Sequence, residues 1–356
     1  MMKIIYYCDW YKEYTAYLAM GVVSKSIDVT VIARDLSPEF AGRRADEKLV
    51  HHGLLANGVE LCLLPGKYSS IKSMLTLNRI YRAKRQAGYD RFHLQQTGDP
   101  RFLWLALRMP TVLTIHEPTA RLGVVRGANR LRSLTSGIVQ RFYRRFADLI
   151  VVHTTSNFNG LTSSERRKAV IIPHGVAPAP VRSAAESKTI LFFGRAAGYK
   201  GIDILLAAMG RVWAAEPRAR LRIMASPGDY AAVQVRDPRI DATWDGYSSE
   251  QLERELADAR VVCMPYTSVS GSGVGAQAYG SGKPIVATAL EGLRELVHHE
   301  ELLARPDDEN DLARALIAAL GTDYGQQDID PQRTWSEVAA THIRAYQPLV
   351  RVHDER

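Results

Sequence analysis

Short apolar, strand-like runs alternate with helical stretches along the whole chain, and they fall into two series. The first series is predicted at 3–7, 28–32, 59–63, 111–115, 149–152 and 170–172. The second is predicted at 189–193, 220–224, 261–264, 284–287 and 302–304. Strands separated by a helix-length crossover pair in parallel, so this spacing calls for parallel sheets covered by helices, an α/β architecture. Two series in 356 residues suit two domains of ordinary size. The stretch 173–188, PHGVAPAPVRSAAESK, is rich in Pro, Ala and Ser and has little periodicity, as a connection between domains would.

The charge also divides there. The net charge is +8, but residues 1–175 hold 26 Lys and Arg against 13 Asp and Glu, while the rest of the chain is mildly acidic. Such a split points to an anionic partner for the first half: a membrane surface, a phosphorylated acceptor or nucleic acid. The surplus is concentrated in two stretches where cations alternate with apolar residues, 67–91 and 121–145. The first of them resembles a basic amphipathic helix. Cys8, Cys62 and Cys263 are odd in number and widely spaced, which suits a reducing cytoplasm. No apolar run approaches the ~18 residues of a membrane span. The apolar stretch near the N-terminus ends at Asp9, too short for a signal-peptide core.

Several chemistries lack their motifs. The first strand runs into Cys8-Asp9-Trp10-Tyr11-Lys12-Glu13, where a dinucleotide fold would place GxGxxG. HExxH, GxSxG and EF-hand patterns do not occur, and no metal site is expected. The second series begins differently. Its first strand leads into Gly194-Arg195-Ala196-Ala197-Gly198-Tyr199-Lys200-Gly201, and a helix follows. Glycines allow a tight turn, and Arg195 and Lys200 place two cations at the carboxyl edge of the sheet, where open α/β sheets bind ligands. An Arg and a Lys there suit a diphosphate. Farther on, a strand gives way to Val269-Ser270-Gly271-Ser272-Gly273-Val274-Gly275, and a helix begins near Ala276. A Ser/Gly loop opening a helix presents backbone N–H groups and the positive end of the helix dipole, a second feature suited to an anion.

Taken in order, these segments resemble family 4 glycosyltransferases, enzymes of the two-lobed GT-B fold with two Rossmann-like domains facing across a cleft. The resemblance extends over nearly the whole chain. It includes Ile171-Ile172-Pro173-His174-Gly175, the Gly194–Gly201 turn, Asp245-Gly246-Tyr247-Ser248, Gly292-Leu293-Arg294-Glu295 and the helix beginning Thr334-Trp335-Ser336-Glu337. It implies an acceptor-side domain over 1–178, a nucleotide-sugar domain over 179–333, and a terminal helix over 334–356 that crosses back to the first domain.

By the same resemblance, Arg195 and Lys200 hold the donor diphosphate. Gly194, Gly246, Tyr247, Ser270, Gly271, Ser272, Gly273, Val274 and Gln277 line the donor. His116, in Leu113-Thr114-Ile115-His116-Glu117-Pro118, stands beside the transferred sugar. His153 and His174 match family patterns too, and packing roles suit them equally well. One departure is visible: two glutamates common in the family are replaced by Val269 and Gln277. Ser270, Ser272 or the loop amides are candidates to replace the lost carboxylate. The implied activity is retaining transfer of a hexose from a nucleotide-diphosphate sugar to a glycan or lipid-pyrophosphate acceptor, for cell-surface polysaccharide or glycoconjugate synthesis, without a cofactor or metal. A GT-B nucleotide-sugar epimerase or hydrolase is the nearest alternative. A nucleic-acid partner would account for the basic half but leaves the Ser/Gly loop without a purpose, and no nucleic-acid motif is present.

Overall fold

In a computed structural model the described residues are 2–8, 12–34, 53–64, 71–117, 130–177, 186–230, 237–269 and 273–349. The chain divides into two compact units, Met1–Gly175 with Trp335–Arg356, and Val176–Thr334. Each is built on one all-parallel sheet, and together they are the two Rossmann-like domains of the GT-B fold class.

The first unit has seven strands: β1 Lys3–Cys8, β2 Asp28–Arg34, β3 Glu60–Leu64, β4 Arg91–Gln95, β5 Thr111–Thr114, β6 Leu149–Val152 and β7 Ala169–Ile171. Their order is β3-β2-β1-β4-β5-β6-β7. Strand alternation sorts β1 between two cores. Ile4, Tyr6 and Cys8 face a cluster closed by the helices Lys12–Val23 and Trp335–Tyr346. Ile5 and Tyr7 face the opposite cluster, closed by Ile71–Gln86, Leu103–Arg108 and Arg130–Phe146. A strand buried on both faces must be apolar at nearly every position, which explains why β1 is so legible. The helices of the first layer touch closely: a side chain at Gly21 would meet Ala339 Cβ at 2.8 Å.

β4 is the exception. It reads RFHLQ, alternating polar and apolar, and was not predicted, yet it is fully buried beside β1. Its polar side chains find partners from distant segments. Arg91 Nε donates to the Tyr346 carbonyl at 3.1 Å, and His93 lies 2.6 Å from the Tyr346 hydroxyl and 2.7 Å from Thr114 Oγ1. Just beyond β4, the fully buried Asp99 carboxylate accepts from Tyr7 Oη at 2.6 Å, from Arg101 Nε and from the Arg101 backbone N–H at 2.9 Å. Arg101, also buried, donates to Ser73 Oγ, tying this loop to helix Ile71–Gln86.

The second unit has six strands: β8 Thr189–Arg195, β9 Arg220–Ser226, β10 Ile240–Thr243, β11 Val261–Met264, β12 Ile285–Thr288 and β13 Leu303–Ala304. Their order is β10-β9-β8-β11-β12-β13. β10, sequence IDAT, is a half-buried edge strand, which is why its apolar signal is weak. The Ser248 capping box opens Ser249–Asp258: the Ser248 hydroxyl accepts the Gln251 N–H, and Gln251 Oε1 accepts the Ser248 N–H. No helix among the described residues is long and apolar enough to cross a membrane.

Among the described residues of the first unit, four histidines are buried: His93, His116, His153 and His342. Burial is the leading cause that lowers each of them, to about 3 for His153 and to about 4 for His342. An unfolded histidine titrates near 6.5. Between that value and the lowered one the unfolded chain binds more protons, so stability is full above about pH 6.5 and falls as the pH drops. Each such histidine should remove about 1.4 kcal/mol per pH unit below 6.5. Thermal unfolding at pH 7, 6 and 5 should show the first unit losing stability progressively. Replacing His342 by Gln should flatten that dependence, and an unchanged slope would show that His342 is not one of the groups responsible.

Candidate active site

In the second unit the strand order reverses between β8 and β11, with β9 and β10 lying outward of β8 and β12 and β13 outward of β11. The carboxyl edge at such a reversal is where open sheets bind ligands. β8 ends there in Gly194-Arg195 and β11 in Met264, followed by Pro265-Tyr266. Lys200 is buried at this point, with its Nζ donating to Tyr266 Oη at 2.7 Å and lying 4.4 Å from that ring's centroid. Gly194 has φ +126°, and a side chain there would meet Lys200 Nζ at 2.8 Å and Val274 Cγ2 at 3.1 Å. The turn therefore brings together Gly194, Lys200 and the first turn of helix Gly273–Gly280. Gly201, at φ +64°, lets the backbone pass the Pro265 carbonyl where any Cβ would collide.

The turn is braced from both sides. Ala196 N–H donates to Ser226 O at 2.8 Å, and Thr267 N–H to Tyr199 O at 2.8 Å. Tyr266 is clamped in turn, its carbonyl accepting the Thr288 hydroxyl at 2.6 Å. Arg195 is exposed and forms no ion pair among the described residues. Gly246, at φ +105°, follows β10 and donates its N–H to Ala225 O at 3.0 Å, with Tyr247 half-buried beside it. Val274 is half-buried and Gln277 exposed on the helix that starts at Gly273. Val269 packs against the domain core. Ser270, Gly271 and Ser272 lie outside the described residues. Tyr266 was not anticipated as part of this site; its signal is an aromatic two residues after a strand at the point where the order reverses.

Replacing Gly194 by Ala should place a methyl against the Lys200 ammonium in a backbone conformation that L residues avoid. Nucleotide affinity measured by calorimetry should fall by on the order of tenfold, with about 1–3 kcal/mol of backbone strain. Unchanged affinity would show that Lys200 need not be held here.

In the first unit the carboxyl ends of β4, β5 and β6 bring Gln95, His116 and His153 together. His153 Nδ1 lies 3.0 Å from the Ile172 carbonyl, His153 Nε2 lies 3.2 Å from His116 Nδ1, and His116 Nε2 lies 2.9 Å from Gln95 Oε1. A carbonyl can only accept, so His153 carries its proton on Nδ1. Burial, followed by the charge of nearby His174, holds His153 neutral, so its Nε2 accepts from His116 Nδ1. Burial also keeps His116 well below its ordinary value, leaving His116 Nε2 as an acceptor. The Gln95 amide must then present its NH2 to His116. That is the reverse of the orientation in the structure, where Oε1 faces His116 Nε2; it gives the buried Gln95 Nε2 a partner and puts Oε1 in the position without one.

Tyr14 stands in the middle of this group, with ring centroids 5.2 Å from His116, 5.0 Å from His153, 5.0 Å from His174 and 5.3 Å from Trp335. Gly175 is required where it stands, because a side chain would collide with the Trp335 ring. Among the described residues, no group of three or more His, Cys, Asp or Glu side chains is placed to hold a metal ion.

Two family models cover most of the chain: "Glycosyltransferase Family 4" matches residues 12–179, and "Glycosyl transferases group 1" matches 187–322. The chain belongs to the family 4 glycosyltransferases. An MMP alpha-(1->4)-mannosyltransferase of Mycolicibacterium hassiacum is 25% identical to this glycosyltransferase over 300 residues, 75% of this chain and 72% of that protein. Among solved structures, sucrose-phosphate synthase from Thermosynechococcus elongatus superposes with a TM-score of 0.68 at 18% identity, covering 98% of this chain and 99% of that one. HepE of Anabaena, solved with UDP and glucose, has a TM-score of 0.65 at 14% identity, covering 98% and 96%. These two likenesses concern the fold. The glycosyltransferase assignment rests on the family models.

Proposed function

We propose that this glycosyltransferase takes a hexose from a nucleotide-diphosphate sugar and transfers it with retention to a hydroxyl of a glycan or lipid-pyrophosphate acceptor, in the making of a cell-surface polysaccharide or glycoconjugate. The observation that carries this reading is Lys200, buried against Tyr266 and Gly194 at the sheet reversal, beside the first turn of helix Gly273–Gly280. The cation, the exposed Arg195 and the N–H groups opening that helix suit a diphosphate leaving group. HepE, which shares the fold, was solved with UDP and glucose, consistent with such a donor.

The step balances as follows. The bond between the anomeric carbon and the diphosphate oxygen breaks, and its electron pair leaves with the diphosphate. The acceptor oxygen bonds to the anomeric carbon from the same face and gives its proton to the departing phosphate oxygen. Negative charge therefore grows on the diphosphate as positive charge grows on the sugar. Cations and N–H groups already aimed at that position stabilise this change without moving, each by about 2.7–4 kcal/mol where water is excluded. Two side-chain cations are the proposed means of balancing the diphosphate, without a metal. His116 is proposed beside the sugar, where a hydroxyl could take the place of the Gln95 amide at Nε2. With Val269 turned to the core, loop amides or the loop serines are proposed for the contact that a family glutamate would make.

A thermal-shift panel of UDP, GDP, ADP and dTDP with their sugars should raise the unfolding temperature for one nucleotide series by linkage. NMR of the product formed from that donor should show the anomeric configuration of the donor. An inverted product refutes retention. Conversion of the donor to an epimer or free sugar without an acceptor replaces transfer with the alternative chemistry. No shift with any nucleotide sinks the donor site.

A further inference from the structure

The two helical layers of the first unit are electrostatically unlike. The layer formed by Lys12–Val23 and Trp335–Tyr346 carries one basic and one acidic residue in each helix. The opposite layer is formed by Ile71–Gln86, Leu103–Arg108 and Arg130–Phe146, of 16, 6 and 17 residues. It contains eleven Lys or Arg and not one Asp or Glu. Glu60 of β3 pairs with Lys84, and Glu165 lies 3.6 Å from Arg144. Lys72, Arg79, Arg82 and Arg141 form no ion pair among the described residues and are exposed.

The same layer exposes large apolar side chains. Ile71 is 77% exposed, Leu75 65% and Ile138 64%, with Met74, Leu107 and Phe146 also open. Six of the ten large exposed apolar residues of the described chain lie on these three helices. Ile71, Met74 and Leu75 occupy the start of a helix whose exposed stripe continues as Arg79 and Arg82. Core packing does not require these side chains, since Ser73 and Leu77 are the buried positions of that helix.

We infer that this layer is a docking face for an anionic lipid bilayer, the cations meeting headgroups and the apolar side chains entering the headgroup–acyl boundary. Charge decides the sign of the partner, because acid-free helices repel a cationic or strongly basic surface and attract an anionic one. The exposed apolar side chains decide its kind: a polyanion such as a nucleic acid needs the cations but gives Ile71 and Leu75 nothing to enter, whereas an interfacial helix uses both. The inference goes beyond the transfer reaction. It concerns a surface on the first unit and requires nothing of the donor site on the second.

The test is co-sedimentation of the full chain with vesicles of phosphatidylcholine alone and with about 30% phosphatidylglycerol, at low and high salt. Binding should require the anionic lipid and weaken at about 0.5 M salt, where screening is nearly complete. Charge reversal in a triple variant, Arg79→Glu with Arg82→Glu and Arg141→Glu, should lower partitioning by on the order of 100-fold. The pair Ile71→Ser and Leu75→Ser should lower it by about tenfold or more. Thermal unfolding of each variant with and without nucleotide checks that both units remain folded. Failure to bind anionic vesicles, equal binding to neutral ones, or wild-type binding by the charge-reversed variant would overturn the inference. Binding to duplex DNA or RNA as tight as to vesicles, and unaffected by Ile71→Ser and Leu75→Ser, would assign the face to nucleic acid instead.

Discussion

Replacing Lys200 by Ala should lower kcat/KM by about 10²–10³-fold, the effect of removing one preorganised donor from a water-poor site. Lys200 is buried, and its ammonium is held by the Tyr266 hydroxyl and by the close approach that only Gly194 permits. Those contacts fix where its charge lies before any donor arrives. Lys200→Arg should not restore activity, because a planar guanidinium does not fit the space of a compact ammonium beside Gly194. Tyr266→Phe keeps the ring and removes only the hydroxyl that accepts from Lys200, so it should cost less, roughly tenfold, on the scale of one hydrogen bond to a charge. Steady-state kinetics with the donor identified by thermal shift, read beside nucleotide affinity by calorimetry, separates these effects. Turnover by Lys200→Ala within twofold of the wild type would remove Lys200 from the leaving-group site.

The largest loss of stability is expected at Asp99, in the loop just beyond β4. Its carboxylate is fully buried and is paired with the equally enclosed Arg101. Asp99→Ala strands the Arg101 guanidinium and leaves the Tyr7 hydroxyl without its acceptor. Breaking one side of a buried pair costs about 3–5 kcal/mol, because the remaining charge is uncompensated. For a unit of this size that corresponds to a fall of roughly 6–20 °C in the unfolding temperature of the first unit. The double variant Asp99→Ala with Arg101→Met should recover part of the loss, since it removes both charges. Calorimetry should show the transition of the second unit unmoved, with its nucleotide shift intact. A loss below about 1 kcal/mol for Asp99→Ala, typical of an exposed pair, would mean that water reaches this site.

Most strands were readable because a strand covered on both faces is apolar throughout, and β1, β6, β8, β11 and β12 follow that rule. β4 escaped because Arg91, His93 and Gln95 look like surface residues until their partners are known. Those partners, Tyr346, Thr114 and His116, lie between 21 and 255 positions away. Local periodicity carries no information about such pairs. The edge proposed for the donor carries its sequence signal in Gly194, Arg195 and Lys200, glycines and cations between a strand and a helix. Tyr266, which holds the lysine, is 66 positions from it and was invisible for the same reason as the partners of β4. The cluster of Tyr14 with His116, His153, His174 and Trp335 is assembled from five separate segments, so only the single histidines could be noticed in the sequence.

The first unit is made of two pieces of chain, and its second piece, Trp335–Tyr346, covers Tyr6, Tyr14 and Val22. Within the second unit the two ends meet, Val176 pairing with Thr334 in an isolated bridge and donating its N–H to Arg333 O at 2.7 Å. During synthesis the order of completion is therefore inverted. The second unit can close as soon as Thr334 has emerged, whereas the first waits through all of that length with one sheet face covered by helix Lys12–Val23 but not by Trp335–Tyr346. At about 5–20 residues per second the wait is on the order of 10–30 s, long compared with the folding of a single domain. Newly made chains should thus depend on chaperones through their first half. Cutting short the last helix should harm the N-terminal unit while leaving residues 176–334 able to fold.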